Sequence, residues 1–345
     1  MSPLKIWLPS IRAGSGADVF VERLAEGLAR RGHDPVVQWF EHKYELMPWR
    51  LQEIQPPAGA AVVHAGSWQA FAFKRPGLPL IVTEHNYVAD PAFAPYRSLA
   101  QACYHRFFIS QCLKRSYRAA NVVVAVSHYT ANVMRHRINR EVVVIHNWVD
   151  SRLFRPVQPD AKPSSAGPFR LLFVGNPARW KGADLLPQLA TKLGSGFELH
   201  CLGGLRRQLD GMPTVDNMHC LDAVRPADMP ALYQSMHAVV VPARHEAFGY
   251  VALEAMACGL PVAGFQTTGT QEVCKNGETA LLVPLNDLDA LAASCRLLAA
   301  DAALASRLGQ AGRDRAVSLF SEEQGVSQYL QYYDQAIRSM GGVNA

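Results

Sequence analysis

Short apolar runs recur along this chain, each followed by an amphipathic stretch, and the pattern starts again after a break near residue 160. The runs of the first half are Lys5–Leu8, Pro35–Phe40, Ala61–His64, Leu80–Thr83, Val122–Val126 and Val142–Ile145. Helix-like stretches lie between them, such as Ala17–Arg31, ending at Gly32, and Ala94–Ala119. Strands alternating with helices predict an α/β chain built on parallel, doubly wound sheets. The break is Gln158–Pro168, rich in Pro, Ser and Gly. Beyond it, Arg170–Val174, Glu198–Leu202, Ala238–Val241, Pro261–Gly264 and Ala280–Val283 read as strands. Asp184–Leu193, Pro230–Ser235, Asp287–Ala299, Ala302–Ala316 and Glu322–Met340 read as helices. The expected domains are residues 1–160 and 168–325, with a terminal helix in 326–345. Ligands of such sheets sit outside the carboxyl ends of the strands, and a cleft between two such domains is the default site.

The densest local pattern is His245-Glu246-Ala247-Phe248-Gly249-Tyr250-Val251-Ala252-Leu253-Glu254-Ala255-Met256-Ala257-Cys258-Gly259-Leu260-Pro261-Val262. Ala255, Met256 and Ala257 favour a helix, and Gly259 followed by Pro261 ends one. A helix starting near Gly249 leaves Glu246 in the preceding loop and puts Glu254 on the second turn. The backbone N–H groups of Phe248, Gly249 and Tyr250 then lie at a helix entry between two acids. Carboxylates accept from hydroxyls, and a helix N-terminus favours an anion. The segment therefore suits a ligand carrying both hydroxyls and phosphate.

Three other segments sit where strands end. Phe173-Val174-Gly175-Asn176-Pro177-Ala178-Arg179-Trp180-Lys181-Gly182 delivers Arg179 and Lys181 to a strand–helix turn. A departing diphosphate needs such a cation. A merely solvated pair at a helix start would oppose the helix dipole. Gly14 and Gly16 follow the first strand, but position 19 is Val, so the dinucleotide fingerprint lacks its third glycine even though Glu41 mimics its ribose-binding acid. An ordinary tight turn and a loop approaching phosphate both fit Gly14-x-Gly16. His85 in Thr83-Glu84-His85-Asn86 ends the fourth run, and a structural histidine fits there as well as a functional one.

The pattern from His245 to Val262 resembles the E-x7-E signature of the retaining GT-B glycosyltransferases of family 4, E-G-F-G-x4-E-A-M-A-x-G-x-P-V. Ala247 stands where that family usually has Gly. A surface helix with two solvated acids does not explain why Ala, Phe, Gly, Met and Pro fall in register too. The resemblance implies two Rossmann-like domains facing a central cleft, with the C-terminal helix crossing back to the first. It implies that Glu246 faces the donor sugar and Glu254 holds the ribose of the nucleotide, with Ala247, Phe248, Gly249 and Tyr250 lining the donor. The family's G-R-x4-K-G places both cations on the diphosphate. Lys181 matches, Asn176 replaces the Arg, and Arg179 offers a charge from a different position. His85 matches T-x-H-D/G, with Asn86 in the last position, and is implied near the donor sugar. Thr267–Glu272 resembles G-G-x-x-E and brings Thr268 and Gly269 to the donor. Gly14 and Gly16 take the backbone role of the family's first loop. His146-Asn147-Trp148-Val149-Asp150 is similar to N-G-V-D, with Trp148 for Gly, and reads as the end of a domain.

Composition excludes several classes. At 345 residues, 49% apolar and 18% charged, the chain has a globular profile. No run approaches the ~20 apolar residues of a membrane span. Met1–Pro9 is too short and interrupted for a signal peptide. The seven cysteines show no CxxC, which fits reduced cytosolic thiols. Residues 1–165 hold 20 Lys and Arg against 12 Asp and Glu, and residues 166–345 hold 14 against 17. No nucleic-acid-binding signature accompanies the basic half. An anionic acceptor or lipid surface explains it better, with cations mixed among aromatics in residues 96–118 as the membrane contact. No Asp-x-Asp ends a strand of the first half, so a metal-independent enzyme without a cofactor is expected.

The leading expectation is therefore a cytoplasmic or peripheral hexosyltransferase. It would move a sugar from a UDP- or GDP-linked donor to a glycan or lipid-linked acceptor in cell-surface polysaccharide synthesis. Alternatives are a phosphorylase, a sugar-nucleotide epimerase and a non-catalytic sugar-nucleotide-binding module, with a dehydrogenase weakest.

Overall fold

The computed structural model describes residues 3–157, 167–204, 213 and 215–341. The predicted linker lies almost wholly outside the described residues. The chain forms two compact units, Met1–Asn147 with Glu323–Ala345, and Trp148–Glu322.

The first unit carries β1 (Lys5–Ile11), α1 (Gly16–Arg30), β2 (Asp34–Phe40), β3 (Val62–Gly66), β4 (Leu80–Glu84), α2 (Leu99–Tyr104), α3 (Ser110–Ala119), β5 (Val122–Ala125), α4 (His128–Arg135) and β6 (Val143–Val144). Its sheet runs β2-β1-β3-β4-β5-β6, with every pair parallel. β4 is buried at every position, as expected for a parallel strand covered on both faces. Ser15 caps α1, whose buried residues Phe20, Leu24, Gly27 and Leu28 follow helical spacing. The chain order reverses between β1 and β3, which is this sheet's switch point.

The second unit carries β7 (Phe169–Gly175), α5 (Leu186–Leu193), β8 (Phe197–Gly203), β9 (Met218–Leu221), α6 (Met229–Gln234), β10 (Ala238–Val241), α7 (Tyr250–Ala257), β11 (Val262–Phe265), α8 (Thr270–Val273), β12 (Ala280–Val283), α9 (Leu288–Ala300) and α10 (Ala302–Leu319). Its sheet runs β12-β11-β10-β7-β8-β9 and is wholly parallel. The order reverses between β7 and β10, the first and fourth strands of this unit. A ligand of this sheet is thus expected at the loops after Gly175 and Val241. α7 buries Ala252, Leu253, Ala255, Met256 and Ala257, and Arg313 of α10 donates to the Ala257 carbonyl at 2.7 Å. That bond satisfies an acceptor the helix end leaves over. The last helix, α11 (Glu322–Gly341), belongs from Glu323 onward to the first unit.

Two expectations need correction, and two elements were not foreseen. The helix predicted over Ala94–Ala119 starts at Leu99, because Pro91 and Pro95 hold a 3-10 turn to Tyr96 and Ser98 forms a capping box with Gln101. It also contains a π-turn at His105–Ile109. The helix predicted from Asp184 starts at Leu186, after a 3-10 turn, with Pro187 in its first turn. β9 and α4 were not anticipated: Met218-His219-Cys220-Leu221 is a short edge strand with two exposed residues and no apolar run. Among the described residues no helix is long and apolar enough to cross a membrane.

Candidate active site

The two loops at the second unit's switch point are tied to each other through backbone. After β7 the chain makes a 3-10 turn, Arg179–Lys181, that stops at Gly182. Gly182 has φ +75°, and a Cβ there would lie 2.0 Å from the Pro242 carbonyl oxygen. Only glycine allows this approach of the turn to the chain leaving β10. The Trp180 carbonyl accepts from the N–H groups of Arg244 and His245, at 2.8 and 3.2 Å. The Arg244 guanidinium grips Asp184 with two bonds of 2.6 and 3.0 Å. It also donates to Asn286 Oδ1 and to the Arg179 carbonyl, both at 2.6 Å. A planar fork of donors is suited to such a clip, which a lysine cannot reproduce.

This clip sets two sequence-predicted residues against each other. Lys181 Nζ lies 2.6 Å from Glu246 Oε1, with side-chain exposures of only 18% and 9%. The ammonium also sits 4.6 Å over the Trp180 ring. Glu246 is fixed from the other side by the loop after β11. Thr268 Oγ1 accepts from the Glu246 N–H at 2.8 Å and donates to its carbonyl at 2.6 Å. The Gly269 N–H donates to the same carbonyl at 2.8 Å. A Cβ on Gly269 would fall 2.5 Å from the Phe248 nitrogen, so Gly269 is needed for the close approach of the two loops.

Gly249, with φ +110°, caps α7, and Glu254 occupies the second turn as the sequence predicts. The hydroxyl of fully buried Tyr233 donates to Glu254 Oε2 at 2.9 Å. The Phe248 side chain packs edge-on between Tyr250 and Phe320 in the interior, so it offers a ligand backbone only. Ala247 and Tyr250 are half-buried on either side. Asn176 lies under Gly204, where a Cβ would come within 2.2 Å of Asn176 Oδ1. Arg179 is exposed. Residues in a 3-10 turn are about 120° apart, so Arg179 and Lys181, two positions apart, leave the chain in different directions. Arg179 therefore does not duplicate Lys181.

Gly14, Gly16 and His85 belong to the first unit. Gly14 has φ +60° and Gly16 opens α1. The Gly14 N–H, expected to meet phosphate, donates instead to Asp18 Oδ2 at 2.8 Å, and the Ala13 N–H reaches the same carboxylate at 3.1 Å. An acid in the first helical turn was the sequence signal for this. His85 follows β4, its ring 4.6 Å from that of Phe20, and burial lowers its pKa to about 4. It is neutral at pH 7. Behind it lies a network that sequence reasoning missed. Buried His64 contacts Tyr333 Oη at 2.6 Å and Thr83 Oγ1 at 2.7 Å, and Thr83 contacts Tyr329 Oη at 3.0 Å. Burial and the neighbouring His85 push the His64 pKa to about 3. Next to His85, Glu84 is buried and accepts from Tyr117 at 2.5 Å, and burial raises its pKa.

The model of the glycosyl transferases group 1 matches residues 154–315, and that of glycosyltransferase family 4 matches residues 39–153. The two matches together run from residue 39 to residue 315, and the chain is a glycosyltransferase. It is 28% identical over 369 residues to a D-inositol 3-phosphate glycosyltransferase of Mycolicibacterium paratuberculosis, covering 95% of this chain and 80% of that protein. Sucrose-phosphate synthase of Thermosynechococcus elongatus superposes with a TM-score of 0.82 at 21% identity, covering 97% of this chain and all (100%) of the other. Anabaena HepE in complex with UDP-glucose superposes at 0.75 and 17% identity, covering 96% of this glycosyltransferase and 100% of that chain. At such identities the structural likeness is one of fold, and its two six-stranded parallel sheets are those of the GT-B fold.

Proposed function

We propose that this glycosyltransferase moves a hexose, with retention at the anomeric carbon, from a UDP- or GDP-linked donor to an anionic glycan or lipid-linked acceptor. The observation that carries the reading is the Lys181–Glu246 pair at the switch point of the second sheet. Lys181 stabilises the charge that grows on the diphosphate as the sugar leaves. Glu246 accepts from sugar hydroxyls, Glu254 holds the ribose, and the backbone at Gly249 and Gly269 lines the donor. Asn176 completes the donor's surroundings within the second unit, and Arg179 adds a more distant charge. The bond from the anomeric carbon to the phosphate oxygen breaks, the acceptor oxygen bonds on the same face, and its proton passes to the departing phosphate.

Charge supplied by Lys181 supports transfer without a metal. The acceptor reading rests on the basic first half of the sequence and on the D-inositol 3-phosphate in the relative's name. A role in cell-surface polysaccharide synthesis, at the inner face of the membrane, fits such an acceptor. The test is transfer from a panel of nucleotide sugars to phosphorylated and lipid-linked acceptors, with EDTA present. Product formation with an unchanged anomeric configuration is expected. An inverted product, or phosphorolysis of a glycan in place of transfer, contradicts the reading.

A further inference from the structure

We infer that residues 46–50 and 99–107 form one face that docks on an anionic lipid bilayer. This deepens, and rests on, the reading of a membrane-associated acceptor. Four large apolar side chains of the first unit are strongly exposed: Leu46 at 60%, Trp49 at 47%, Leu99 at 88% and Phe107 at 70%. All four lie on two segments that touch. The Tyr104 hydroxyl donates to the Glu45 carbonyl, and the rings of Trp49 and Phe108 meet edge-on at 6.2 Å. The 3-10 turn Pro48–Glu53 thus lies against the helical segment that begins at Leu99. Exposed single apolar residues are ordinary, but a Trp, a Phe and two Leu gathered on adjoining segments need a covering surface.

Charge identifies what covers them. No Asp or Glu occurs between Asp90 and Glu141, while Arg97, Arg106, Lys114, Arg115 and Arg118 fall within that span. Arg106, Lys114, Arg115 and Arg118 are exposed, as is Arg50 beside Trp49. The Arg106 guanidinium lies 5.8 Å from the Phe107 ring centre. A patch of apolar and aromatic side chains bordered by cations, with no acid along the helix, matches the boundary between lipid headgroups and acyl chains. Glu45 and Glu53 flank the shorter segment, but the helical segment from Leu99 to Ala119 carries cations and no acid, which favours a lipid surface over a protein partner.

The test is sedimentation of the full chain with vesicles of phosphatidylcholine alone and with phosphatidylglycerol added. Binding to the anionic vesicles only is expected. Leu99→Ser/Phe107→Ser should lower that binding on the order of tenfold. Arg106→Gln/Lys114→Gln should lower it by a similar factor, in a salt-dependent way. Nucleotide-induced thermal shifts should stay unchanged in both, since neither pair belongs to the switch-point loops. Loss of those shifts in the unsubstituted chain would count against the transferase site and leave the docking face standing. Absence of anionic-vesicle binding, or binding indifferent to Leu99→Ser/Phe107→Ser, overturns the docking face. Capture of an acidic protein in the absence of vesicle binding overturns it too.

Discussion

The ammonium of Lys181 rests 2.6 Å from the carboxylate of Glu246, a residue 65 positions further along the chain. The two ends of this pair come from the loops after β7 and β10, where the order of the second sheet reverses. Arg244 clamps the first loop and Thr268 the second, so neither charge has to be ordered when a donor arrives. On the proposed reading, a diphosphate reaching Lys181 competes with Glu246 and releases that carboxylate for the sugar hydroxyls.

Removing either partner leaves the other largely out of water without its counter-charge. Lys181→Ala and Glu246→Ala should each lower stability by roughly 3 kcal/mol. Lys181→Met/Glu246→Leu should recover much of that loss while remaining inactive. Urea unfolding of the four proteins gives the coupling, and single variants as stable as the parent would refute it. Turnover of the single variants should fall on the order of 100-fold or more.

Arg244 acts through position rather than contact. Arg244→Lys keeps the charge but loses the two-bond grip on Asp184. A small displacement of Lys181 should then reduce kcat by about 10–100-fold, with little change in the melting temperature. Steady-state kinetics beside thermal unfolding check this, and an unaltered kcat contradicts it.

Tyr233 orients Glu254 through one hydrogen bond. Tyr233→Phe should raise the donor KM about tenfold with kcat nearly unchanged, because a ribose held by Glu254, as proposed, is held equally in the ground and transition states. A fall in kcat alone would place Glu254 at the reacting centre instead.

The His64 network makes the first unit acid-labile. Its folded pKa, about 3, lies below the unfolded value of 6.5. The unfolded chain therefore takes up the proton first as pH falls. Stability is full above pH 6.5 and declines below it, by up to about 1.4 kcal/mol per pH unit for this one group. Urea unfolding between pH 7 and pH 4 should show a steeper decline for the parent than for His64→Gln. Equal slopes would contradict the assignment.

The sequence made both sheets and the acidic helix legible because burial on two faces forces apolar runs, and a buried helix such as α7 forces small apolar residues around Glu254. The signature placed Lys181 and Glu246 correctly at strand ends, but not against each other. Their contact depends on Gly182 and on the Arg244 clip, whose bonds link positions up to 65 residues apart and leave no local period. The expectation for Gly14 missed Asp18, whose carboxylate accepts from the N–H groups of Ala13 and Gly14. It likewise missed His64, Thr83, Tyr329 and Tyr333, which meet only through tertiary packing. β9 escaped because an edge strand needs no apolar run.

The most direct test of the central claim is calorimetric titration of UDP and GDP into the parent protein and into Lys181→Ala and Glu254→Ala. One diphosphate should bind, and each substitution should weaken it on the order of tenfold or more, with the corresponding monophosphate less sensitive to Lys181. Unchanged affinity for that diphosphate in both variants would show that the switch-point loops of the second sheet do not hold the donor.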